Sequence, residues 1–339
     1  MEGETITLKD LAKEAGVSIK TVSRAIHDHP DINAETRQKV MTIVEKYSYS
    51  PNWAAQSLRS RRTQTIGLVV PNMTNDFFGQ VGVEIDSFFR KSHYSTLICF
   101  TSNRRENEIE SMTSLLGKNV DGIIFAPEGS ANDYFDILPQ LRKKPIVFID
   151  NKCEGIDAHY VLHDNIHGTG LLIDHLVSHG HKRIACVTGP LNATSGSERL
   201  QGYKNALQRN GLPFDEALVR VTDWEVIAGG VAATLDLFAD RNAAPTAVFY
   251  ANSMALLGGY KAFRKLNIAI PADVAAVAFD PPYVIDSLSP IPTTLGQFEE
   301  KIGQTAARML YNLMNERPVA RKEVRVRSTI RMGTSCGCQ

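Results

Sequence analysis

A chain of 339 residues is too long for one ordinary core and fits two or three domains. Its 43% hydrophobic and 22% charged residues are ordinary for a soluble globular protein. A net charge of zero excludes a polycation, so contact with any polyanion has to come from local charge. No apolar run approaches the roughly 20 residues that span a bilayer. The acidic, polar start from Met1 to Asp10 is the wrong flank for a signal peptide, and the expected setting is the cytoplasm, with no membrane contact. Five scattered cysteines (Cys99, Cys153, Cys186, Cys336 and Cys338) fit reduced thiols.

The first element reads as a short helix, Leu8 to Ala15, with Thr7 as N-cap and Asp10 completing a weak capping box. Gly16 supplies a sharp turn. Ser18 caps a second helix, Ile19 to Ile26. Pro30 breaks the chain, and Asn33 caps a third helix from Ala34 to about Tyr47. Leu8, Leu11, Ala12, Ala15, Val17, Val22 and Ile26 recur at helical spacing and form a shared core, with Val40, Ile43 and Val44 turned inward from the third helix. Two short helices across a glycine turn, braced by a third, make the helix-turn-helix plan. The outward face of the second helix carries Ser18, Lys20, Thr21, Ser23 and Arg24. Lys20 and Arg24, four apart, share one face and suit guanine O6 and N7, while the hydroxyls suit phosphates.

The run from Ile6 to Arg24, ITLKDLAKEAGVSIKTVSR, resembles the signature of the lactose/galactose repressor (LacI/GalR) family of transcriptional regulators. The next run, Tyr49 to Arg59, resembles the hinge helix of that family. The resemblance implies operator contacts from Thr7, Ser18, Ile19, Lys20, Thr21, Ser23, Arg24, His27, Asn33 and Thr36. It implies further contacts from Asn52, Ala55, Gln56 and Leu58 in the hinge, with Leu58 as an apolar wedge in the minor groove. A hinge helix of two turns is marginal alone in water, and the resemblance implies that it orders only beside its dimer mate on DNA. Residues 1–62 hold ten Lys and Arg against eight Asp and Glu, a net of only +2, so tight binding needs a dimer and ordered contacts.

After Arg62 the pattern becomes alternating. Apolar strands of four to six residues are expected at Thr65–Val70, Ser95–Phe100, Gly122–Ala126, Pro145–Ile149, Arg183–Val187, Leu218–Val221, Ala247–Tyr250 and Val274–Phe279. A further strand is expected through His159 and His163, and a last one at Val324–Ile330. Helical stretches lie between most of them, at Gln80–Lys91, Glu106–Gly117, His167–Ser178, Glu198–Gly211, Glu225–Ala239 and Ser253–Leu266. Such alternation means parallel sheets with crossover helices, covered on both faces. Ligands then sit beyond the strand C-terminal ends, where Asp, Asn, Arg and aromatic residues recur, a pattern of hydroxyl recognition. This region also resembles the effector domain of the same family, which is similar to periplasmic sugar-binding proteins.

That resemblance places Asn75, Asp150, Arg199, Asn252, Asp280 and Gln297 at polar effector contacts and Phe77, Phe78 and Trp224 at apolar ones, with Arg199 the anchor. Asp150 and Asp280 also read as structural caps, and Phe77 or Trp224 as core. Asn252-Ser253 and Asp280-Pro281-Pro282 depart from the family pattern, which bears on the ligand and not on the fold. The expected architecture is a small all-α helix-turn-helix head on an α/β periplasmic-binding-protein-like effector domain of two Rossmann-like subdomains. The head spans residues 1–48, hinge and linker 49–62, and the effector and dimerisation domain 63–335. Its N-terminal subdomain takes about 63–161 and 293–325, its C-terminal subdomain about 162–292.

Histidines recur at 159, 163, 167, 175, 179 and 181, and Cys336-Gly337-Cys338 sits at the tail. Two ligands without nearby partners do not make a zinc site, and the histidines do not all share a helical face, so neither metal nor cofactor is expected. No Gly-x-Ser-x-Gly elbow and no phosphate-cradling glycine loop appears, and catalysis has no positive sign. The reading is therefore a DNA-binding regulator, most simply a repressor of carbohydrate-utilisation genes that binds a near-palindromic operator as a homodimer under control of a sugar. With no heptad tail after the last strand, a dimer is expected rather than a tail-bundled tetramer. A purine-type corepressor, a phosphocarrier partner and a sugar-transport component remain as alternatives.

Overall fold

The computed structural model describes residues 6–26, 29–47, 49, 62–128, 134, 136–153, 155–224, 227–282, 284–296 and 298–338. Contacts divide the chain into two compact units, Met1–Thr63 and Gln64–Gln339. The first unit holds α1 (Leu8–Ala15), α2 (Ile19–Ile26) and α3 (Ala34–Lys46). Thr7 opens α1 with a full capping box. Its backbone N–H donates to Asp10 Oδ2 (3.0 Å), and Asp10 N–H donates to Thr7 Oγ1 (3.4 Å). Gly16 ends the helix at φ +67°, a left-handed position that a side chain adopts only with strain. Leu11, Ala12, Ala15, Val22, Ala25 and Val40 close the core, with Ile6, Leu8, Val17, Ile26, Ile43, Val44 and others packed around it. Lys46 on α3 reaches back to Glu14 on α1 (2.7 Å).

In the second unit the strands are β1 (Thr65–Val70), β2 (Ser95–Phe100), β3 (Gly122–Phe125), β4 (Ile146–Ile149), β5 (His159–His163) and β6 (Ile184–Thr188). They continue as β7 (Val219–Val221), β8 (Ala247–Tyr250), β9 (Ala275–Ala278), β10 (Thr293–Gly296), β11 (Glu323–Val326) and β12 (Thr329–Arg331). The helices are α4 (Asp76–Lys91), α5 (Arg105–Gly117), the single turn α6 (Leu138–Leu141), α7 (Asn165–Ser178) and α8 (Thr194–Arg209). Next come α9 (Ile227–Leu237), α10 (Ser253–Leu266) and α11 (Glu299–Met314). None of the described helices is long and apolar enough to cross a membrane.

Two six-stranded sheets result, ordered β11-β5-β4-β3-β1-β2 and β12-β10-β9-β8-β6-β7. Among the described residues every pairing is parallel except β10 with β12. β1, β3, β6, β8 and β9 are buried almost along their length, as strands covered by helices on both faces must be. The chain changes sheet three times: between β5 and β6, between β10 and β11, and between β11 and β12. The crossings are tied together, since Asp164 N–H donates to the Val326 carbonyl (2.9 Å) and Arg327 pairs with Asp164 (3.3 Å).

Three features differ from expectation. The single strand expected at Val324–Ile330 is two short strands, one in each sheet, because the chain changes sheet between Val326 and Thr329. β10 pairs with β9, so residues 293–296 belong to the second sheet and the return to the first begins at α11. α11 has no counterpart among the expected helices, although its buried residues Ile302, Ala306, Met309 and Leu310 keep helical spacing.

Candidate functional site

In the head, Ser18 before α2 and Ile19 and Lys20 on its first turn are exposed, with Thr21, Ser23 and Arg24 half-buried beside them. Ile19, a large aliphatic, is 44% exposed. Ser18 Oγ accepts the Thr21 N–H (3.0 Å), so the hydroxyl caps the helix and leaves its positive end open. Asn33 Oδ1 caps α3 through the Thr36 N–H (2.7 Å). Thr7, Ser18 and Asn33 thus bring three helix N-termini to the head, and such termini take phosphates. Arg24 lies 3.8 Å from Asp31, a surface pair of small worth that a stronger anion displaces. His27, Asn52, Ala55, Gln56 and Leu58 lie outside the described residues.

In the second unit a cleft between the strand ends of the two sheets is lined by Asn75, Phe77, Phe78, Asp150, Arg199, Trp224, Asn252 and Asp280. It is narrow and opens to solvent at its mouth. Gln297 lies outside the described residues. Local sequence sets each position. Asn75 caps α4 by accepting the Phe77 N–H (3.1 Å), so Phe77 and Phe78 sit on the first helical turn and not in a loop. The two rings meet edge-on at 5.0 Å, and Phe77 stacks on Phe298 at 6.2 Å. Asp150 follows β4 at φ +65°, a strained value outside Gly, Asn and Asp. Arg199 lies on the second turn of α8, which starts at Thr194 rather than at the expected Glu198.

Arg199 is the hub and is only 5% exposed. Its Nε donates to Asn165 Oδ1 (3.0 Å). Its Nη1 donates to the Ala251 carbonyl and faces Asp280 Oδ2 (3.4 Å). The guanidinium lies over Phe279, 3.7 Å from the ring centroid, and 5.3 Å from Trp224. Asn252 spends its amide inside the protein: Oδ1 caps α10 through the Ala255 N–H (2.8 Å), and Nδ2 donates to the Trp224 carbonyl (2.6 Å). It therefore positions Trp224 more than it offers free hydrogen bonds. The indole rests on Gly189, where a Cβ would come within 2.3 Å of ring atoms.

Two polar atoms at this cleft are buried without a partner among the described residues: Asp280 Oδ1 and Trp224 Nε1. Each such orphan costs about 1–3 kcal/mol until a ligand or water satisfies it. Burial also pushes carboxyls up. Asp150 rises to about 6 through burial, opposed by the Arg199 charge and reinforced by Asp280. Asp280 rises by burial, again against Arg199. Burial raises Glu299, at the start of α11, to about 7. Beneath the cleft, burial holds His163 well below its ordinary value, with its ring edge-on to Phe279 (4.6 Å) and Phe298 (4.4 Å). A wider, more open groove along α11 is lined by Lys301, Arg308 and Arg321 among others. It contains none of these orphaned atoms.

Four further residues line the cleft: Pro71, Asn103, Glu128 and Ser195. Asn103 and Glu128 follow β2 and β3, so reading every strand end would have found them. Ser195 sits in the polar run before Arg199, and its N–H and Oγ both donate to Asn151 Oδ1 (3.0 Å each). The assembled groups accept and donate hydrogen bonds around an apolar wall, as in small-molecule binding sites.

Comparison with known proteins agrees on both units. Residues 7–52 match the family described as bacterial regulatory proteins, lacI family, and residues 173–336 match a periplasmic binding protein-like domain. The chain is 34% identical over 299 residues to the HTH-type transcriptional regulator DegA of Bacillus subtilis (strain 168), covering 88% of each. It is 30% identical to the ribose operon repressor of Escherichia coli (strain K12), covering 91% of this chain and 93% of that one. Its fold superposes on the lac repressor dimer bound to operator and an anti-inducer with a TM-score of 0.86 at 25% identity, covering 98% and 99%. With a helix-turn-helix head and a two-sheet binding unit, and with relatives that are regulators and not enzymes, this chain belongs to the LacI family of bacterial DNA-binding transcriptional regulators.

Proposed function

We propose that this protein is a repressor whose hold on a near-palindromic operator is set by a small, neutral, hydroxyl-rich ligand, a free sugar, bound in the Arg199 cleft. The observation that carries the ligand is the pair of orphaned polar atoms, Asp280 Oδ1 and Trp224 Nε1, beside Arg199. A sugar hydroxyl donates to the carboxylate while another accepts from the indole N–H, and the indole covers an apolar sugar face. Charge selects a neutral molecule, because the described lining holds three carboxylates, Asp150, Asp280 and Glu128, and one cation, Arg199. A phosphorylated sugar or a nucleotide would meet like charge there. A stacked purine is also disfavoured, since Phe77 and Phe78 are almost wholly buried against their neighbours. The relative named for the ribose operon is in keeping with this reading.

The DNA contacts follow from α2. Ile19, Lys20 and Arg24 face base edges, and Ser18, Thr21 and Ser23, with the Thr7 and Asn33–Thr36 helix starts, face phosphates. Two subunits pair to give two heads one helical turn or more apart. His27 and the hinge positions Asn52, Ala55, Gln56 and Leu58 complete the contact, and the protein works in the cytoplasm at the nucleoid. The three crossings between the sheets form the hinge. Ligand that bridges both sides of the cleft favours its closed form, and coupling of this kind is about 1–3 kcal/mol, or 5- to 150-fold in operator affinity.

The test is a thermal-shift panel on the whole protein with free pentoses, free hexoses, hexose phosphates and nucleobases, followed by operator binding with each hit. A free sugar should raise the melting temperature and change operator affinity. Stabilisation by a nucleobase or a sugar phosphate, with none by any free sugar, overturns the ligand class.

A further inference from the structure

We propose that His175, His179, Cys336 and Cys338 form a binding site for one divalent ion of borderline softness, zinc above all. The two pairs are some 160 residues apart in sequence, and the fold brings them together at the C-terminal end of α7. Cys338 Sγ lies 3.5 Å from His175 Nε2, 3.1 Å from His179 Nε2 and 2.8 Å from Cys336 Sγ. The ligand atoms of His175, Cys336 and Cys338 all lie within 4.8 Å of one another. Around a tetrahedral zinc, bonds of about 2.0 Å to nitrogen and 2.3 Å to sulfur set ligand atoms roughly 3.3–3.8 Å apart. His175, Cys336 and Cys338 therefore need adjustments of about 1 Å to enclose an ion, and His179, which already touches Cys338, has farther to move toward the other two.

The surroundings are built for ligation. His175 and His179 stand at i and i+4, with ring centroids 4.5 Å apart. His179 Nδ1 lies 2.9 Å from the His175 carbonyl. As the N–H donor of that bond it leaves the Nε2 lone pair turned toward Cys338, the arrangement that orients metal-binding imidazoles. The tail is fixed by the hydrogen bonds of Ser335. Ser335 N–H donates to Ile291 O (3.0 Å), Ala276 N–H donates to Ser335 O (3.0 Å), and Thr293 N–H donates to Ser335 Oγ (2.9 Å). Gly337, at φ +85°, then folds the chain so that both sulfurs face α7. Cys336 is buried, Cys338 and His175 are half-buried and His179 is exposed, so the site is walled on one side and open to an entering ion on the other. Two thiolates and two neutral imidazoles leave a dication neutral overall, a set that suits zinc.

The ion's role is structural. It staples the chain's tail to the end of α7, whose first residue, Asn165, holds Arg199 at the opposite end, roughly 20 Å away at 1.5 Å per residue. It is therefore not the cleft's ligand.

The test uses the full-length protein without a His tag, reduced with a phosphine, stripped with a chelator and titrated with cobalt(II), then with zinc. One equivalent of cobalt per chain should bind with thiolate charge-transfer absorption and tetrahedral d–d bands, and zinc should displace it and raise the melting temperature. Cys336→Ser/Cys338→Ser should abolish the charge-transfer bands. His179→Ala, at an exposed position, should keep the fold and weaken cobalt affinity about tenfold or more. Three results would overturn the proposal: no charge-transfer band, cobalt binding unchanged in the double cysteine variant, or a Cys336–Cys338 disulfide that persists under phosphine.

Discussion

Asp280→Asn separates ligand recognition from stability. In the wild-type chain Asp280 is 5% exposed, faces Arg199 at 3.4 Å through Oδ2 and leaves Oδ1 without a partner among the described residues. Burial raises its carboxyl because ionisation is expensive there. An amide of the same shape keeps an oxygen for Arg199 and removes a buried charge, while Asp150 remains as a counter-charge to the buried guanidinium. Arg199 also keeps Asn165 and the Ala251 carbonyl. The free variant should therefore unfold at the same or slightly higher denaturant. The ligand loses more. A hydrogen bond from a hydroxyl to a charged acceptor contributes about 1.5–3 kcal/mol, and at 1.4 kcal/mol per tenfold this is about 10- to 150-fold in affinity. Calorimetry with the sugar that stabilises the wild type, beside urea unfolding of both free proteins, measures the two quantities. Operator affinity without sugar should not change. Wild-type sugar affinity in the variant would refute the role of Oδ1. A variant much less stable than the wild type would refute the claim that the charge is a burden on the free protein.

Three other outcomes are expected. Lys20→Ala should relax base preference at one operator position, at about 1–3 kcal/mol, while a uniform loss over all sequences would make Lys20 a phosphate contact; competition against singly substituted operators distinguishes these. Gly189→Ala, whose methyl would lie 2.3 Å from the Trp224 ring, should displace the indole and weaken sugar binding, with a stability loss of about 1–3 kcal/mol from overpacking. Asp150→Asn should remove a pH dependence. The folded carboxyl is raised to about 6 from 3.8, so the folded state holds a proton that the unfolded chain has released, and stability falls as pH rises between those values. The stability of the variant relative to the wild type should therefore grow from pH 4 to above pH 6 and level off near 3 kcal/mol in order of magnitude. Urea unfolding across that range, with the wild-type curve subtracted so that His163 and Glu299 cancel, tests it; a flat difference refutes it.

Local pattern carried most of the fold, and three-dimensional return carried the rest. The head was legible because each of its signals is short-range: a capping box at Thr7 and Asp10, a left-handed Gly16, and aliphatics at helical spacing. The sheets were legible because buried parallel strands read as continuous apolar runs. α11 was not, because its first turn is Glu299-Glu300-Lys301 and its apolar stripe begins only at Ile302. The split of β11 from β12 was not either, because their partners, Tyr160–His163 and Thr294–Gly296, lie far back along the chain. The cleft follows the same division. Strand ends named Asp150, Trp224, Asn252 and Asp280, but the chemistry that distinguishes them is tertiary. Asn252 is spent on Trp224, whereas Asp280 keeps a free lone pair because Arg199 takes only one of its oxygens. The cysteine tail makes the point most sharply. At a spacing of two, Cys336 and Cys338 are half a site, and at a spacing of four, His175 and His179 are another half. The pairing of β12 with β10 and the hydrogen bonds of Gly333, Thr334 and Ser335 to Ile291, β9 and β10 carry the tail across the second sheet and bring one to the other.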